Sequence, residues 1–567
     1  MELGMESIDC VVSRLLDHGI HIALDGDKLK VRAARGALSE DISSLIRSRR
    51  DEIVDYLTRH RSIRSLDVPA ISHVADAGQK VPVSFSQQRL WFIDRIDEGS
   101  RQYHLPVILR LSGNLDTAAM QRAIDEIVRR HEVLRTRFVE VDGVPKQIVV
   151  EAERVPISTI SLRQYGGEQQ ELALQRAIEQ VCDLPFDLEQ GRLLRVALIA
   201  LSDVEHLAVL VQHHIVSDGW SSGVFVREFS ALYDAFVGGS ESPLPAPDLQ
   251  YADFALWQRD WLVGDRLQGL YQYWEEQLRD IPLVHGLPLD RPRPKHQDHR
   301  GAVHLQRIEP ALSDSIREMA RQENVTLFML LQTAFSLLVS RLSLEQDVVI
   351  GTPVAGRART ELEPLLGFFV NNLALRSRFD ASMSFRDALS TQKKVVLDAY
   401  AYQHLPFEML VDRINPNRST AYDPVFQIVF AINNNEIGGL ELSGLGVTPL
   451  IPRTRHAKTD LELLVEEREG GFQIGWTYRT GLFDECTIAS FSEAYARLLQ
   501  GIVSDASVGV FDYDLVGEGA SQQLLAARGA SMDYPTRPVQ QQIAEQAQRT
   551  PASPAVVCGD VTLSYAE

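Results

Sequence analysis

The apolar and polar positions of this chain change period several times, and each change marks a different element. Residues 207–211 form an apolar run that suits a buried strand, with the strand-like stretch reaching Gln212. Runs at 107–111, 145–150 and 193–201 predict further strands, whereas 115–131 and 168–182 repeat their apolar residues at helical spacing. Strands and helices therefore alternate from residue 81 to 250, an α/β pattern with mixed sheet pairing. A second region repeats the pattern from 290 to 515, with strands predicted at 303–308, 347–352, 373–376, 427–432 and 471–478. Two similar halves point to a pseudo-dimer, and the crevice between such lobes is the expected place for a site.

Both ends differ from this middle. Val11, Val12, Leu15 and Leu16 recur at helical spacing up to Gly19. Ile20, Ile22 and Leu24 then alternate with polar neighbours, Asp25-Gly26-Asp27 supplies a turn, and Leu29, Val31 and Ala33 return, which predicts a hairpin. Ser39 is placed to cap a helix through Leu45, and Ile53, Val54 and Leu57 add an apolar face. This unit, 1–60, is followed by a polar linker at 61–80, a first lobe at 81–265 and a second at 266–520. In 521–567 an amphipathic stretch from Val539 to Ala547 precedes strand-like runs at 555–557 and 561–565. A strand-turn-strand signal with no following core does not fold alone, so the chain is expected to be cut from something longer.

Composition narrows the partners. With 45% hydrophobic and 24% charged residues the chain is expected to be a soluble globular protein, and a net charge of -20 argues against nucleic acid as the main partner. Against that balance, Lys28, Lys30, Arg32, Arg35, Arg47, Arg49 and Arg50 gather positive charge in the head. Such a run is either a solvated face or an edge suited to an acidic peptide. The four cysteines lie at long spacings, which is no disulfide framework, and neither a basic-then-apolar leader nor a bilayer-length apolar run is visible. A cytoplasmic location and no membrane partner are expected.

The candidate chemistry is His213-His214-Ile215-Val216-Ser217-Asp218-Gly219, directly after the 207–212 run. Neighbouring side chains on a strand point to opposite faces, so one imidazole faces a given cavity while the protein orients the other. Asp218 falls beyond the strand end, where it braces the loop. The pattern gives one base and one structural anion. A core cluster or a metal pair would use the same residues, but no second cluster with ligand spacing accompanies them, and no metal is expected.

The chain resembles a condensation domain of a nonribosomal peptide synthetase along most of its length. Residues 84–92, Ser-Phe-Ser-Gln-Gln-Arg-Leu-Trp-Phe, are similar to the opening motif and 130–138, Arg-His-Glu-Val-Leu-Arg-Thr-Arg-Phe, to the second. The 213–221 stretch is the signature, and the series continues through 251–258, 350–357, 367–372, 404–408 and Phe426-Gln427 in the family's order. The first 60 residues resemble small β-hairpin docking domains, and Leu563-Ser564-Tyr565-Ala566-Glu567 resembles the entry of an adenylation domain whose nucleotide-binding parts lie outside the chain.

The resemblance implies two chloramphenicol-acetyltransferase-like lobes in a V-shaped pseudo-dimer, behind a small α/β docking domain. It also implies a reaction in which the amine of a carrier-bound aminoacyl thioester attacks an upstream carrier-bound acyl or peptidyl thioester. The domain itself would hold no cofactor, because partner carrier domains deliver the phosphopantetheine arms. His214 is then assigned to accept the amine proton or to position the amine, and His213 to a structural place in the first lobe. Asp218 is expected in a salt bridge, with Arg357 as its partner. Gly219 either leaves room for pantetheine and offers its N–H to an oxyanion or is a turn glycine. Trp220 and Ser221 sit where a helix entering at Val224 begins, so Ser221 is a cap or a substrate contact. Asn371 and Asn372 are placed along the tunnel or in its support, and the aromatic pairs Trp91-Phe92 and Phe368-Phe369 are read as core. Lys28, Lys30, Arg32 and Arg35 are assigned to the acidic C-terminal tail of a preceding synthetase. The rivals are a coenzyme A-dependent acyltransferase of the same fold, a carrier-bound epimerase and an inactive recruitment platform.

Overall fold

Two twisted sheets, each backed by helices, arise from the two regions of alternating strands and helices. The computed structural model describes residues 11, 20–25, 28–33, 40–50, 52–54, 69–73, 78–96, 101–414, 419–433, 442–450, 454–468, 470–517 and 536–567. The first sheet has five strands in the order Leu445–Leu450, His104–Gly113, Glu205–His213, Leu194–Ala200, Ile157–Ser161. Its outermost pair, Ile157–Ser161 with Leu194–Ala200, is parallel and the other pairs are antiparallel, so the sheet is mixed. The second has seven, in the order Asn371–Arg378, Asp347–Val354, Ile428–Asn433, Leu461–Arg468, Gly471–Arg479, Arg300–Ile308, Thr454–His456. Ile428–Asn433 is parallel to both of its neighbours, which makes this sheet mixed as well.

The apolar run that ends in the histidines is a central strand of the first sheet, and from Leu207 to His213 every side chain is buried. Alternation sorts these residues. Ala208, Leu210 and Gln212 line an apolar cavity under the helices Thr117–Arg130 and Gly219–Val237, while the strand's last residue, His213, packs against Phe186. Four strands of these sheets are not placed by pattern, Ile157–Ser161, Leu445–Leu450, Thr454–His456 and Leu461–Arg468, and the first two show why. Ile157–Ser161 lies at the sheet edge with no buried residue, and Leu445–Leu450 carries Gly446 and Pro449, both of which blur alternation.

That second strand matters for the architecture, because it belongs by sequence to the later region yet pairs with His104–Gly113 of the first sheet. Leu362, Leu365, Leu366 and Phe369 cross in the same direction and are buried in the first core. The later half therefore lends segments to the first. Among the aromatic pairs read as core, Trp91 is buried at 3% exposure, but Phe92 is 45% exposed, since adjacent residues of the Phe85–Ile96 helix face different directions.

In the head, Ile20–Asp25 and Lys28–Ala33 form the predicted antiparallel hairpin, with Asp25 opposite Lys28, Ala23 opposite Lys30 and His21 opposite Arg32. Glu40–Ser48 is the following helix. Arg35, Ser39, Leu57 and the stretch 12–19 lie outside the described residues. A separate unit begins at Val516 and contains the helix Val539–Arg549 and the antiparallel hairpin of Pro554–Cys558 with Val561–Ser564. No single helix among the described residues is long and apolar enough to cross a membrane.

Gly351 shows how closely the second core is packed. A Cβ built there would stand 2.2 Å from the ring of Phe426. Gly351→Ala is expected to destabilise the protein by about 1–3 kcal/mol in denaturant unfolding, and Phe426→Leu in the same chain to recover part of the loss.

Candidate functional site

The strand Glu205–His213 ends where a short 3-10 turn, His214–Val216, delivers the chain to the helix Gly219–Val237. His213 is fully buried, its Nδ1 accepts the Ile215 N–H at 3.1 Å, and its ring meets His104 and Phe186 edge-on. Burial, with His104 beside it, pushes its pKa down to about 3, so this imidazole is neutral and structural in its surroundings.

His214 turns the other way. Its ring is half-buried, packed edge-on against Phe368 at 4.7 Å and Tyr103 at 6.3 Å. Nδ1 lies 2.7 Å from the Ser217 carbonyl, an acceptor only, so Nδ1 carries the hydrogen and Nε2 presents a lone pair. The structure gives Nε2 no hydrogen-bond partner among the described residues. Burial holds the His214 pKa well below its ordinary value, and the Lys458 ammonium adds to the effect. The imidazole is thus a neutral, oriented acceptor.

Asp218 fixes the turn that carries it. The carboxylate is fully buried: Oδ1 accepts the Ser221 N–H at 2.7 Å and faces Arg357 Nη2 at 3.4 Å, while Oδ2 accepts the Phe369 N–H at 3.0 Å. One side chain therefore caps the helix Gly219–Val237 and pins it to the 367–369 segment. The helix begins at Gly219 rather than near Val224, and its cap is Asp218 and not Ser221. Ser221 is wholly buried, with Oγ donating to the Gly367 carbonyl at 2.9 Å and accepting from the Gly367 N–H and Arg357. Those bonds use all of its capacity, so it is no free substrate contact.

Arg357 organises the other side of the junction. Nη1 donates to the carbonyls of Leu362 and Leu365, Nη2 donates to Ser221 Oγ at 2.8 Å, and the guanidinium lies 4.0 Å over the Phe369 ring. The turn before it requires glycine: Gly356 has φ +66°, and a Cβ there would stand 1.9 Å from the Phe369 carbonyl oxygen. Trp220 Nε1 donates to the Glu363 carbonyl at 2.9 Å, a further tie to the same loop. Gly219 is exposed, and an added Cβ would meet nothing within 4 Å. Asn371 spends its amide on the Gln403 and Leu405 carbonyls and accepts the Phe407 N–H, so it supports the 403–407 turn. Asn372 is half-buried opposite Pro353.

The opening motif closes the arrangement from behind. Ser84 and Gln87 exchange reciprocal bonds at the start of the Phe85–Ile96 helix, and Gln87 Nε2 donates to the Ile215 carbonyl of the histidine turn at 3.2 Å. Tyr251 Oη donates to the Phe368 carbonyl at 2.5 Å, and its ring lies where a side chain on Gly367 would have to go. Sequence reasoning misses Tyr103 and Lys458 and reads Phe368 as core. Phe368 lies in the 367–372 motif, whereas Tyr103 and Lys458 stand in no pattern that marks them out, because only the fold brings them near His214.

Comparison with known proteins identifies the family and the fold. The condensation domain family matches residues 77–525, and the TubC N-terminal docking domain matches 8–59. A linear gramicidin synthase polypeptide of Brevibacillus parabrevis is 37% identical over 86% of this chain, which spans 6% of that protein. Phosphinothricin tripeptide synthetase PhsC of Streptomyces viridochromogenes is 37% identical over 88% of the chain, which spans 46% of it. The chain thus spans less than half the length of these two curated relatives. Among solved structures, the X-domain from teicoplanin biosynthesis superposes with a TM-score of 0.72 at 28% identity, over 79% of this chain and all of its own. The first condensation domain of the calcium-dependent antibiotic synthetase, at 20% identity, shares the fold with a TM-score of 0.66 over 78% of this chain and all of its own. The mixed α/β, chloramphenicol-acetyltransferase-like architecture is the one these structures have, and the chain belongs to the condensation domain family, with a TubC-type docking domain ahead of it.

Proposed function

We propose that this chain forms an amide bond between two carrier-bound substrates of a nonribosomal peptide synthetase. The observation that carries this reading is the neutral His214 imidazole, its Nδ1–H committed to Ser217 and its Nε2 free to accept. An aminoacyl group enters on one phosphopantetheine arm and an acyl or peptidyl thioester on the other, both delivered by partner carrier domains. The amine nitrogen attacks the thioester carbonyl carbon, the C–S bond breaks, and the thiol leaves with the proton that the amine gives up. Because the thioester is already activated, no covalent nucleophile is needed, and holding the two arms together supplies much of the rate, up to about 7–11 kcal/mol.

His214 is assigned to the amine. A neutral imidazole of depressed pKa is a poor base for a free ammonium, but it accepts a hydrogen bond from a neutral amine and then the proton that becomes acidic once nitrogen has bonded to carbon. Asp218 and Arg357 serve as the pin that keeps the turn in place, and Gly219 leaves open space beside it. We read residues 1–60 as the docking unit, 61–80 as linker, 81–265 and 266–520 as the two lobes, and 521–567 as the entry of an adenylation domain. Lys28, Lys30 and Arg32, at alternate positions of one hairpin strand, with Arg35, are assigned to the acidic tail of a preceding synthetase. A cytoplasmic setting follows from that assembly.

Single-turnover amide formation between loaded carrier proteins, followed by intact-protein mass spectrometry, tests the site. His214→Ala is expected to slow it by about 10²–10⁴-fold. A folded variant that works at the parental rate would remove His214 from the chemistry, and equal acylation of free amines from coenzyme A would favour the acyltransferase rival. For the head, a short acidic peptide is expected to bind the whole chain more weakly as salt rises. Reversal of Lys28, Lys30 and Arg32 should abolish that binding, and unchanged affinity would refute the contact.

A further inference from the structure

The apolar cavity on the first sheet adjoins the histidine turn, and the reaction as described leaves it unused. Its floor is the paired strands His104–Gly113 and Glu205–His213, where Val107 stands opposite Leu210 and Leu109 opposite Ala208, and Leu442 closes it from the later half. Gln212 and Ser222 are the polar side chains of its wall. Ser222 Oγ is spent on the Asp218 carbonyl at 3.1 Å. Gln212 is buried at 5% exposure, and its side-chain amide has no hydrogen-bond partner among the described residues. A buried amide without a partner costs free energy, which a ligand that bonds to it recovers.

The place of Gln212 along its strand gives the cavity a polar end. It is the residue before His213, nearest the histidine turn, whereas Leu210 and Ala208 lie successively farther back. On the partner strand Leu109, Val107 and Leu105 run in the same direction, the last two half-buried. They lead to Tyr103, whose ring packs edge-on against His214 at 6.3 Å. The cavity is therefore polar toward the reacting groups and apolar behind them. It is also small, which suits a branched alkyl group rather than a long chain.

We propose that this cavity is a specificity subsite for the acyl donor: it takes a short branched alkyl group, while the Gln212 amide bonds to a polar substituent on the same α-carbon. The proposal rests on the reading of His214 as the group that accepts from the amine. An aminoacyl acceptor offers its α-amine to His214, so the polar substituent on its own α-carbon is already engaged. The donor's is not. In a peptidyl thioester that α-carbon carries an amide, in a hydroxyacyl thioester a hydroxyl, and a glutamine side chain, both donor and acceptor, bonds to either. A site that hydrogen-bonds a substituent rejects the analogue lacking it more sharply than an apolar pocket rejects a missing methylene, so Gln212 sets the selectivity and the alkyl pocket adds to it.

The test compares single-turnover amide formation by the whole chain with a glycyl acceptor and a set of donors on an upstream carrier protein: acetyl, isovaleryl, and both configurations of α-hydroxyisovaleryl and N-acetylvalyl. The parental chain is expected to prefer the hydroxyacyl or the N-acylaminoacyl donor over isovaleryl by about tenfold, and which of them leads tells a hydroxyl from a peptide amide. Gln212→Met, of similar volume, should abolish that preference. Val226→Phe, which fills the cavity from the helix side, should lower every branched donor relative to acetyl. Parental preferences in folded Gln212→Met would overturn the proposal, as would losses that fall equally on acetyl and the branched donors, or selectivity that follows the acceptor side chain instead. Calorimetric binding of the same acyl groups as pantetheine thioesters keeps the two readings apart. A Gln212-dependent preference in binding by a chain that forms no amide retains the subsite and sinks the proposed reaction, whereas binding without preference sinks the subsite whatever the rate.

Discussion

A single buried carboxylate holds the junction on which the rest of the site is built. Asp218 takes one hydrogen bond from the helix it caps and one from the Phe369 backbone, and faces the Arg357 guanidinium. Hydrogen bonds to a charged group contribute about 1.5–3 kcal/mol each, and a buried carboxylate deprived of them is costly. The turn bearing His214 runs between the end of a central strand and this anchored helix start, so its path is set at both ends. Segments from the later half, 362–369 and 445–450, complete the first core and the first sheet, and the anchor ties one of those crossings to the histidine turn.

The chemistry that follows is modest in demand. Thioesters need orientation and a route for one proton, and the site supplies a neutral acceptor whose tautomer is set by the Ser217 carbonyl. The two histidines of the signature differ only by the direction in which the backbone turns after the strand. His213 completes the alternation into the first core, whereas His214, the first residue of the 3-10 turn, leaves it. Proximity between tethered substrates then carries most of the acceleration.

Much of this is legible from the chain. The buried strand before His213, the hairpin at 20–33 and the strands of the second sheet that begin at Asp347 and Gly471 lie where periodicity places them. The ordered motifs put His214, Asp218 and Arg357 in one constellation, and the last two do meet. Pattern misplaces the helix start because Gly219 and Ser221-Ser222 read as loop residues, although Asp218, whose carboxylate accepts the Ser221 N–H, is itself a cap. Lys458 and Tyr103 are not legible, since their meeting depends on the fold bringing together residues far apart in the chain. The crossing strand at 445–450 escapes for a different reason: its pairing partner lies in the other half, so local pattern carries no trace of it.

The central claim is that Asp218 holds the site by its buried bonds rather than by touching the reacting atoms, and a double-mutant cycle with Arg357 in denaturant unfolding tests it most directly. Asp218→Ala and Arg357→Ala are each predicted to lose about 3–5 kcal/mol, and the double replacement to lose well under the sum, because each single change strands the other charge. Small and additive losses in stably folded variants that nevertheless cannot form the amide would contradict the account and move Asp218 into the chemistry itself.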